Sequence, residues 1–129
     1  MVLKFDEYIK LNEGLGNINT KEEKTDFGTV WYYDAEDGSF RFAVYQYDDD
    51  PDTVYLANVF VKDESRGQGK GNAILKNAEL IAKDRNASTI CLKVKNDSFV
   101  HKWYERNGYF YLEEDDEDPT FIWMKKEIS

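Results

Sequence analysis

The sequence predicts a single α/β domain with a mixed, mostly antiparallel sheet that has one central pair of parallel strands and flanking helices. Three observations lead to this prediction. Apolar and aromatic runs between residues 27 and 47 are separated by short acidic turns, which is typical of antiparallel strands. An apolar run at 54–61, an amphipathic segment and another apolar run follow, which is typical of a β-α-β unit. The length of 129 residues suits one domain.

The N-terminal half is predicted to contain a short helix and three strands. Apolar residues spaced by three and four around Phe5 and Ile9 predict the helix, and the polar stretch 17–26 is interpreted as a loop. β-branched and aromatic residues predict strands at 27–33 and Phe40–Tyr47.

Acidic turns at 34–39 and 48–52 are expected to join these strands to one another and to the third strand. The third strand, 54–61, is nearly all apolar, so we expect both of its faces to be buried. A glycine-rich stretch then leads into the second half of the chain.

The second half is predicted to begin with a helix at 72–85, which Asn86 closes in a left-handed conformation. The apolar stripe of this helix consists of Ile74, Leu75, Ala78, Ile81 and Ala82. A strand at 89–94 should lie parallel to 54–61, because a helical crossover joins the two strands.

A shorter helix is expected to begin after Asp97 or Ser98, either of which can cap it, and to stop at Gly108. Its inner face is predicted to consist of Phe99, Val100, Trp103 and Tyr104. Two further strands, 109–112 and 121–124, are expected to form a closing hairpin around an acidic turn.

Acidic residues dominate the charge: 26 Asp and Glu against 17 Lys and Arg give a formal net charge of −9. This charge disfavours binding to nucleic acid or to an anionic membrane, and it favours either solubility alone or a cationic partner such as an amine. No apolar run approaches the ~20 residues of a membrane span. The single cysteine, Cys91, cannot form an internal disulfide, so we expect a cytoplasmic protein. No cluster of His and Cys indicates a metal site.

The stretch Arg66-Gly67-Gln68-Gly69-Lys70-Gly71 lies between a predicted strand and a predicted helix. The first amides of a helix lack acceptors and its dipole is positive there, so such a junction binds anions. A Walker phosphate loop would need Ser or Thr after Lys70, where Gly71 stands. A dinucleotide loop would need a third glycine at Asn72.

The spacing Arg66-x-x-Gly69-x-Gly71 resembles the acetyl-CoA-binding motif of the GNAT family of N-acetyltransferases. The resemblance continues in the stretch from Trp103 and Tyr104 to Gly108-Tyr109, which is similar to the family's Leu-Tyr-x-x-x-Gly-Phe. The apolar stretch that ends at 59–61 resembles the end of the family's splayed fourth strand. Order and spacing agree from residue 54 to residue 109, whereas the first 26 residues are short for the family's acceptor-side segment.

The resemblance implies an enzyme that transfers the acetyl group of acetyl-CoA directly to a primary amine. The donor's pyrophosphate would bind the helix N-terminus, and its pantetheine arm would pair with the strand before the loop. The residues implied in donor binding are Val59, Phe60, Val61, Arg66, Gly67, Gln68, Gly69, Lys70, Gly71, Asn72 and one of Asn96 and Asp97. Tyr104 is implied as the general acid, because a phenol is protonated at neutral pH.

Several questions stay open at this point. The strands at 54–61 and 89–94, which correspond to the family's fourth and fifth strands, offer no carboxylate as a general base. Water or an acid such as Asp52 could therefore accept the amine's proton. His101 is expected on the solvated surface, with a catalytic base as its alternative, and Cys91 is expected to pack in the core. The acceptor could be a small molecule, a lysine or a protein N-terminus, and the chain a monomer or a homodimer. A non-catalytic acyl-CoA-binding sensor or interaction module is the competing function.

Overall fold

The structure, a computed structural model, describes residues 18–62 and 69–128. The helix predicted around Phe5 and Ile9, and Arg66, Gly67 and Gln68 of the glycine-rich stretch, lie outside the described residues. The strands are β1 (Ile18–Lys24), β2 (Gly28–Ala35), β3 (Phe40–Tyr47), β4 (Asp50–Val61), β5 (Thr89–Lys95), β6 (Phe110–Glu114) and β7 (Phe121–Glu127). The helices are α1 (Lys70–Asp84) and α2 (Phe99–Arg106).

The described strands form one seven-stranded sheet in the order β1-β2-β3-β4-β5-β7-β6. Strands β4 and β5 are parallel, and every other neighbouring pair is antiparallel. The predicted fold class, a mixed sheet with one central parallel pair, is therefore confirmed. α1 crosses from β4 to β5 as the β-α-β prediction requires.

One hydrophobic core lies between α1, α2 and the helix-facing side of the sheet. The predicted stripe of α1 is fully buried, from Ile74 at 0% exposure to Leu75 at 5%. Alternate strand residues such as Phe42 and Leu92 meet it from the sheet. Asn86 closes the region after α1 with a φ of 61°, as predicted.

The interpretation of 17–26 as a loop is wrong for most of its length, because Ile18–Lys24 forms β1 and pairs with β2 over all seven residues. Six of these residues are exposed, so the strand carries no alternation of apolar and polar residues by which it could be predicted. Backbone pairing forms it, and the indole Nε1 of Trp31 donates to Glu22 at 2.8 Å. A charged edge strand of this kind also discourages pairing with other chains.

The expectation that both faces of 54–61 are buried is also wrong. Val54 and Leu56 are buried against the helices, whereas Phe60 is 41% exposed. Within the described residues, helices cover only one side of β4. We call the opposite side of the sheet the outer face.

The predicted inner face of α2 is only half right. Tyr104 is buried and Trp103 is half-buried, but Phe99 is 79% exposed and Val100 is 44% exposed. The guanidinium of Arg106 lies 6.0 Å from the Phe99 ring centroid. These two residues are seven apart and share the outward side of the helix.

Candidate active site

The parallel strands β4 and β5 separate after a short contact. They pair only from Thr53–Thr89 to Tyr55–Cys91, although β4 continues to Val61 and β5 to Lys95. β5 is meanwhile paired with β7 along its whole length. A cleft therefore opens between 56–61 and 92–95, and the edge of β4 that faces this cleft is unpaired within the described residues.

A β-bulge at Asn58 accompanies the separation. The register with β3 passes from Ala43↔Ala57 to Arg41↔Phe60, so three steps along β4 oppose two along β3. Asn58 has a φ of 55°, in the left-handed region that asparagine tolerates better than most residues. Such a bulge bends its strand and increases the twist. The prediction from sequence missed Asn58, although a lone asparagine in an apolar run was a usable signal.

Among the described residues, no side chain caps the N-terminus of α1, as the anion-site prediction requires. Gly69 stands at the cap with a φ of 78°, and the first intrahelical bond runs from the Ala73 amide to the Gly69 carbonyl at 3.0 Å. The amides of Lys70, Gly71 and Asn72 therefore have no acceptor within the helix. The first turn contains no acidic residue. A Cβ at Gly69 would meet no described heavy atom within 4 Å.

Gly71 has a different physical role from Gly69. A Cβ at Gly71 would lie 3.0 Å from Cζ2 of Trp103, on α2. The glycine thus allows the indole to pack against the first turn of α1. Trp103 also contacts the predicted general acid, because its ring centroid lies 4.9 Å from that of Tyr104.

Tyr104 is buried in the core, where its ring lies 5.5 Å from the ring of Tyr109 in an edge-on arrangement. Burial raises the pKa of Tyr104 to about 12. The phenol therefore keeps its proton at neutral pH and can donate it.

Asn96 and Asp97 lie in the turn between β5 and α2, directly after the end of β5. Asp97 has a φ of 57°, and the Asn96 amide donates to the Thr120 carbonyl at 2.8 Å. Ser98 is the N-cap of α2, since its hydroxyl accepts from the His101 amide at 3.1 Å. Of the two predicted caps, Ser98 is thus the one used, and the side chain of Asp97 is exposed.

His101 is not the solvated surface residue that we expected, because its side chain is only 13% exposed. Nδ1 accepts the Asp97 amide at 3.1 Å, and Nε2 lies 3.2 Å from Oε1 of Glu105. Nδ1 thus holds the turn at Asp97, and Nε2 is engaged with Glu105 within α2. This arrangement supports a structural role for His101 rather than that of a base.

The acidic segments of the sequence lie at different distances from the cleft. Asp52 belongs to β4 itself and lies seven residues before Val59, about 23 Å along an extended strand. It is too far from the cleft to take a proton there, and the run 48–50 lies at that same distant end. The hairpin between β6 and β7 is at the cleft's end instead, because Phe121 pairs with Lys95.

Two further observations concern candidate reactive groups. Cys91 is buried on β5, and burial raises the pKa of its thiol. Cys91 is thus buried as expected, but it alternates along β5 with Ile90 and Leu92 and lies outside the core cluster to which they belong. Among residues 18–62 and 69–128, no group of three or more His, Cys, Asp and Glu side chains is arranged to hold a metal ion.

Comparison with known proteins identifies the family. The sequence profile described as the acetyltransferase (GNAT) domain matches residues 26–110, which is more than half of the chain. The chain belongs to the GNAT family. No curated protein sequence matches it.

Solved GNAT structures share the fold at low sequence identity. A GNAT family acetyltransferase from Elizabethkingia anophelis with acetyl-CoA bound is 15% identical, with a TM-score of 0.64 over 88% of this chain and 99% of its own. Nourseothricin acetyltransferase is 17% identical, with a TM-score of 0.65 over 87% and 85%. The PaiA N-acetyltransferase from Thermoplasma acidophilum, in complex with coenzyme A, is 19% identical, with a TM-score of 0.63 over 77% and 60%. None of the described helices is long and apolar enough to cross a bilayer.

Proposed function

We propose that this chain is an N-acetyltransferase that moves the acetyl group of acetyl-CoA to a primary amine by direct attack. The observation that carries the proposal is the cleft between β4 and β5. The helix that follows β4 has no side-chain cap at its N-terminus, and the helix that follows β5 carries the buried Tyr104. Family membership and the relatives with acetyl-CoA or coenzyme A bound support the choice of donor. We take residues 1–129 as one N-acetyltransferase domain, in a cytoplasmic setting.

The described residues fit the donor. Acetyl-CoA would supply an activated acetyl thioester. The free amides of Lys70, Gly71 and Asn72 would bind its pyrophosphate, with Arg66, Gly67, Gln68 and Gly69 completing the loop. The unpaired edge of β4 at Val59, Phe60 and Val61 would hold the pantetheine arm as a neighbouring strand does. An amide of that edge would stabilise charge that develops on the thioester oxygen, and Asn96 or Asp97 would hold the arm from β5.

The proton transfers can be assigned to this chain and to solvent. The amine nitrogen forms a bond to the acyl carbon while the carbon–sulfur bond breaks. Tyr104 gives its proton to the departing sulfur. Neither 56–61 of β4 nor β5 contains Asp or Glu, so we propose that water takes the proton of the amine. The rate should then rise with pH only as the amine loses its proton. A single Asp or Glu substitution that removes a distinct pKa from the profile would contradict this.

The missing carboxylate also favours a second candidate, a non-catalytic acyl-CoA-binding sensor. Release of free CoA in the presence of a panel of primary amines separates the two functions. Acetyl-CoA at about 100 times its dissociation constant should add roughly 2.7 kcal/mol to the free energy of unfolding in either case. Absence of this stabilisation would contradict both functions.

The donor site itself is tested at Gly69. Gly69→Asp places a carboxylate at the helix N-terminus and should abolish CoA binding, as measured by calorimetry. Gly38→Asp is the matched control, because Gly38 also has a positive φ of 75° and open surroundings. Gly38→Asp introduces the same backbone strain but does not lie at the N-terminus of α1. Retained CoA binding in Gly69→Asp would refute the assignment of the loop.

A further inference from the structure

The outer face of the sheet carries a trough of about 480 Å³ across β2, β3 and β4. This volume lies within the range of small-molecule sites, roughly 300–1,000 Å³. Its lining includes Tyr32, Asp34, Arg41, Ala43, Asn58 and Phe60. The donor cleft proposed above lies along the edge of β4 that faces β5, and the trough adjoins it, because Val59 and Phe60 also line the trough.

The strand register explains the shape of the trough. Tyr32, Ala43 and Ala57 form one row across the three strands, and Asp34, Arg41 and Phe60 form the next. Neighbouring rows on one face are about 6.6 Å apart. Ala43, which is only 1% exposed, lowers the floor of the trough between taller side chains.

One end of the trough carries two opposite charges that do not form an ion pair with each other. Asp34 and Arg41 are cross-strand partners, yet neither forms an ion pair within the part of the chain that the structure describes. The Arg41 guanidinium instead lies 5.3 Å from the ring centroid of Phe60. Stacking on a ring holds the guanidinium in place while its donors stay available for a carboxylate. The charges suit a ligand that presents a carboxylate to Arg41 and an ammonium group to Asp34.

The trough runs from this charged end to the bulge of β4. Arg41 is one strand away from β4 and Asp34 is two, which corresponds to about 5 and 10 Å. A four-carbon side chain spans about 6 Å, from bond lengths near 1.5 Å. A head group held at the charged end could therefore place the tip of such a side chain at Asn58, beside the cleft that would hold the thioester.

We propose that the trough binds the acceptor, and that the acceptor is a free α-amino acid whose side chain ends in a second, reacting amine. This rests on the proposed function. The head group pairs with Arg41 and Asp34, and the side chain lies over Ala43 towards Asn58. The side-chain nitrogen gains the acetyl group as the carbon–sulfur bond breaks, with its proton passing to water and that of Tyr104 to the sulfur.

The head-group site can be tested without any turnover. L-Norleucine has the head group and a four-carbon side chain but no terminal amine. Calorimetry should show that it binds the CoA-saturated protein and that Arg41→Gln or Asp34→Asn weakens binding at least tenfold, since each loses a charge-assisted contact. Arg106→Gln is the matched control, because it removes another guanidinium that lies over a phenylalanine ring, on α2. It should bind norleucine as the wild type does.

Turnover then tests which amine reacts. The kcat/KM for L-lysine should exceed that for cadaverine, which lacks the carboxylate, and Arg41→Gln should remove this preference while leaving cadaverine unaffected. If norleucine does not bind and cadaverine reacts as well as lysine, the acceptor proposal is overturned and the transferase function stands. If norleucine binds through Arg41 but no amine is acetylated, the proposed function fails and the head-group site stands.

Discussion

The contact between Gly71 and Trp103 offers a sharp test of how α1 and α2 are held together. The substitution Gly71→Ala adds one methyl group, which would stand 3.0 Å from Cζ2 and 3.3 Å from Cη2 of the indole. Both distances are shorter than ordinary van der Waals contact, so the indole must move by a few tenths of an ångström. The half-buried Trp103 can give way by turning its indole or by shifting α2, which also carries Tyr104.

Two opposing terms set the magnitude. Overpacking of this kind typically costs about 1–3 kcal/mol. Alanine in a helix is favoured over glycine by up to about 1 kcal/mol. The free energy of unfolding of Gly71→Ala should therefore fall by about 0–2 kcal/mol. In a Trp103→Leu background the methyl group has room, so the same substitution should raise the free energy of unfolding by up to about 1 kcal/mol.

A double-mutant cycle, measured by urea unfolding, shows how far the effect of Gly71→Ala depends on Trp103. The wild type, both single variants and the double variant should give a coupling energy between the two positions of about 1–3 kcal/mol. Measuring kcat for Gly71→Ala as well shows whether the shifted α2 moves Tyr104 away from the reacting sulfur. Additive effects at the two positions, within about 0.5 kcal/mol, would refute the packing role of Gly71.

Three further predictions concern catalysis and the cleft. Tyr104→Phe should lower kcat by about 10²-fold or more while leaving the affinity for CoA nearly unchanged; an unchanged kcat in steady-state assays would remove its role as acid. Asn58→Val should cost roughly 1–2 kcal/mol of folding free energy, because valine tolerates a positive φ poorly, and it should impair donor binding. Asn58→Gly should keep the bulge, and equal binding by both variants in calorimetry would contradict this reasoning. The pKa of Tyr104 is about 12 in the folded state, against an ordinary value of 10.0. The contribution of this shift to the free energy of unfolding is therefore fully present below pH 10. This contribution should be lost as pH rises from 10 towards 12, because only the unfolded phenol ionises there. Tyr104→Phe should therefore lose less stability than the wild type over that interval in pH-dependent unfolding.

The elements with a strong local pattern were predictable from the sequence. The stripe of α1 repeats with the helical period, and β3 alternates Phe42 and Val44 towards the core, so both needed no knowledge of distant partners. β1 was missed because its residues are polar and exposed and only pairing with β2 makes it a strand. The exposure of Phe99 was missed because the helical period does not reveal which side of so short a helix faces the sheet.

The same division applies to the site. Residue type and spacing alone were enough to predict the glycine-rich junction, the tyrosine that follows it and their order along the chain. Only the tertiary structure decided that Asn58 bends β4 where it leaves β5, that Asp52 lies at the far end of its strand, and that Arg41 stacks on Phe60 beside Asp34. Each of these depends on the register between strands that are distant in the chain. That register is set by packing across the whole sheet, so local patterns such as the lone asparagine in the apolar run 54–61 give at most a signal of where it changes.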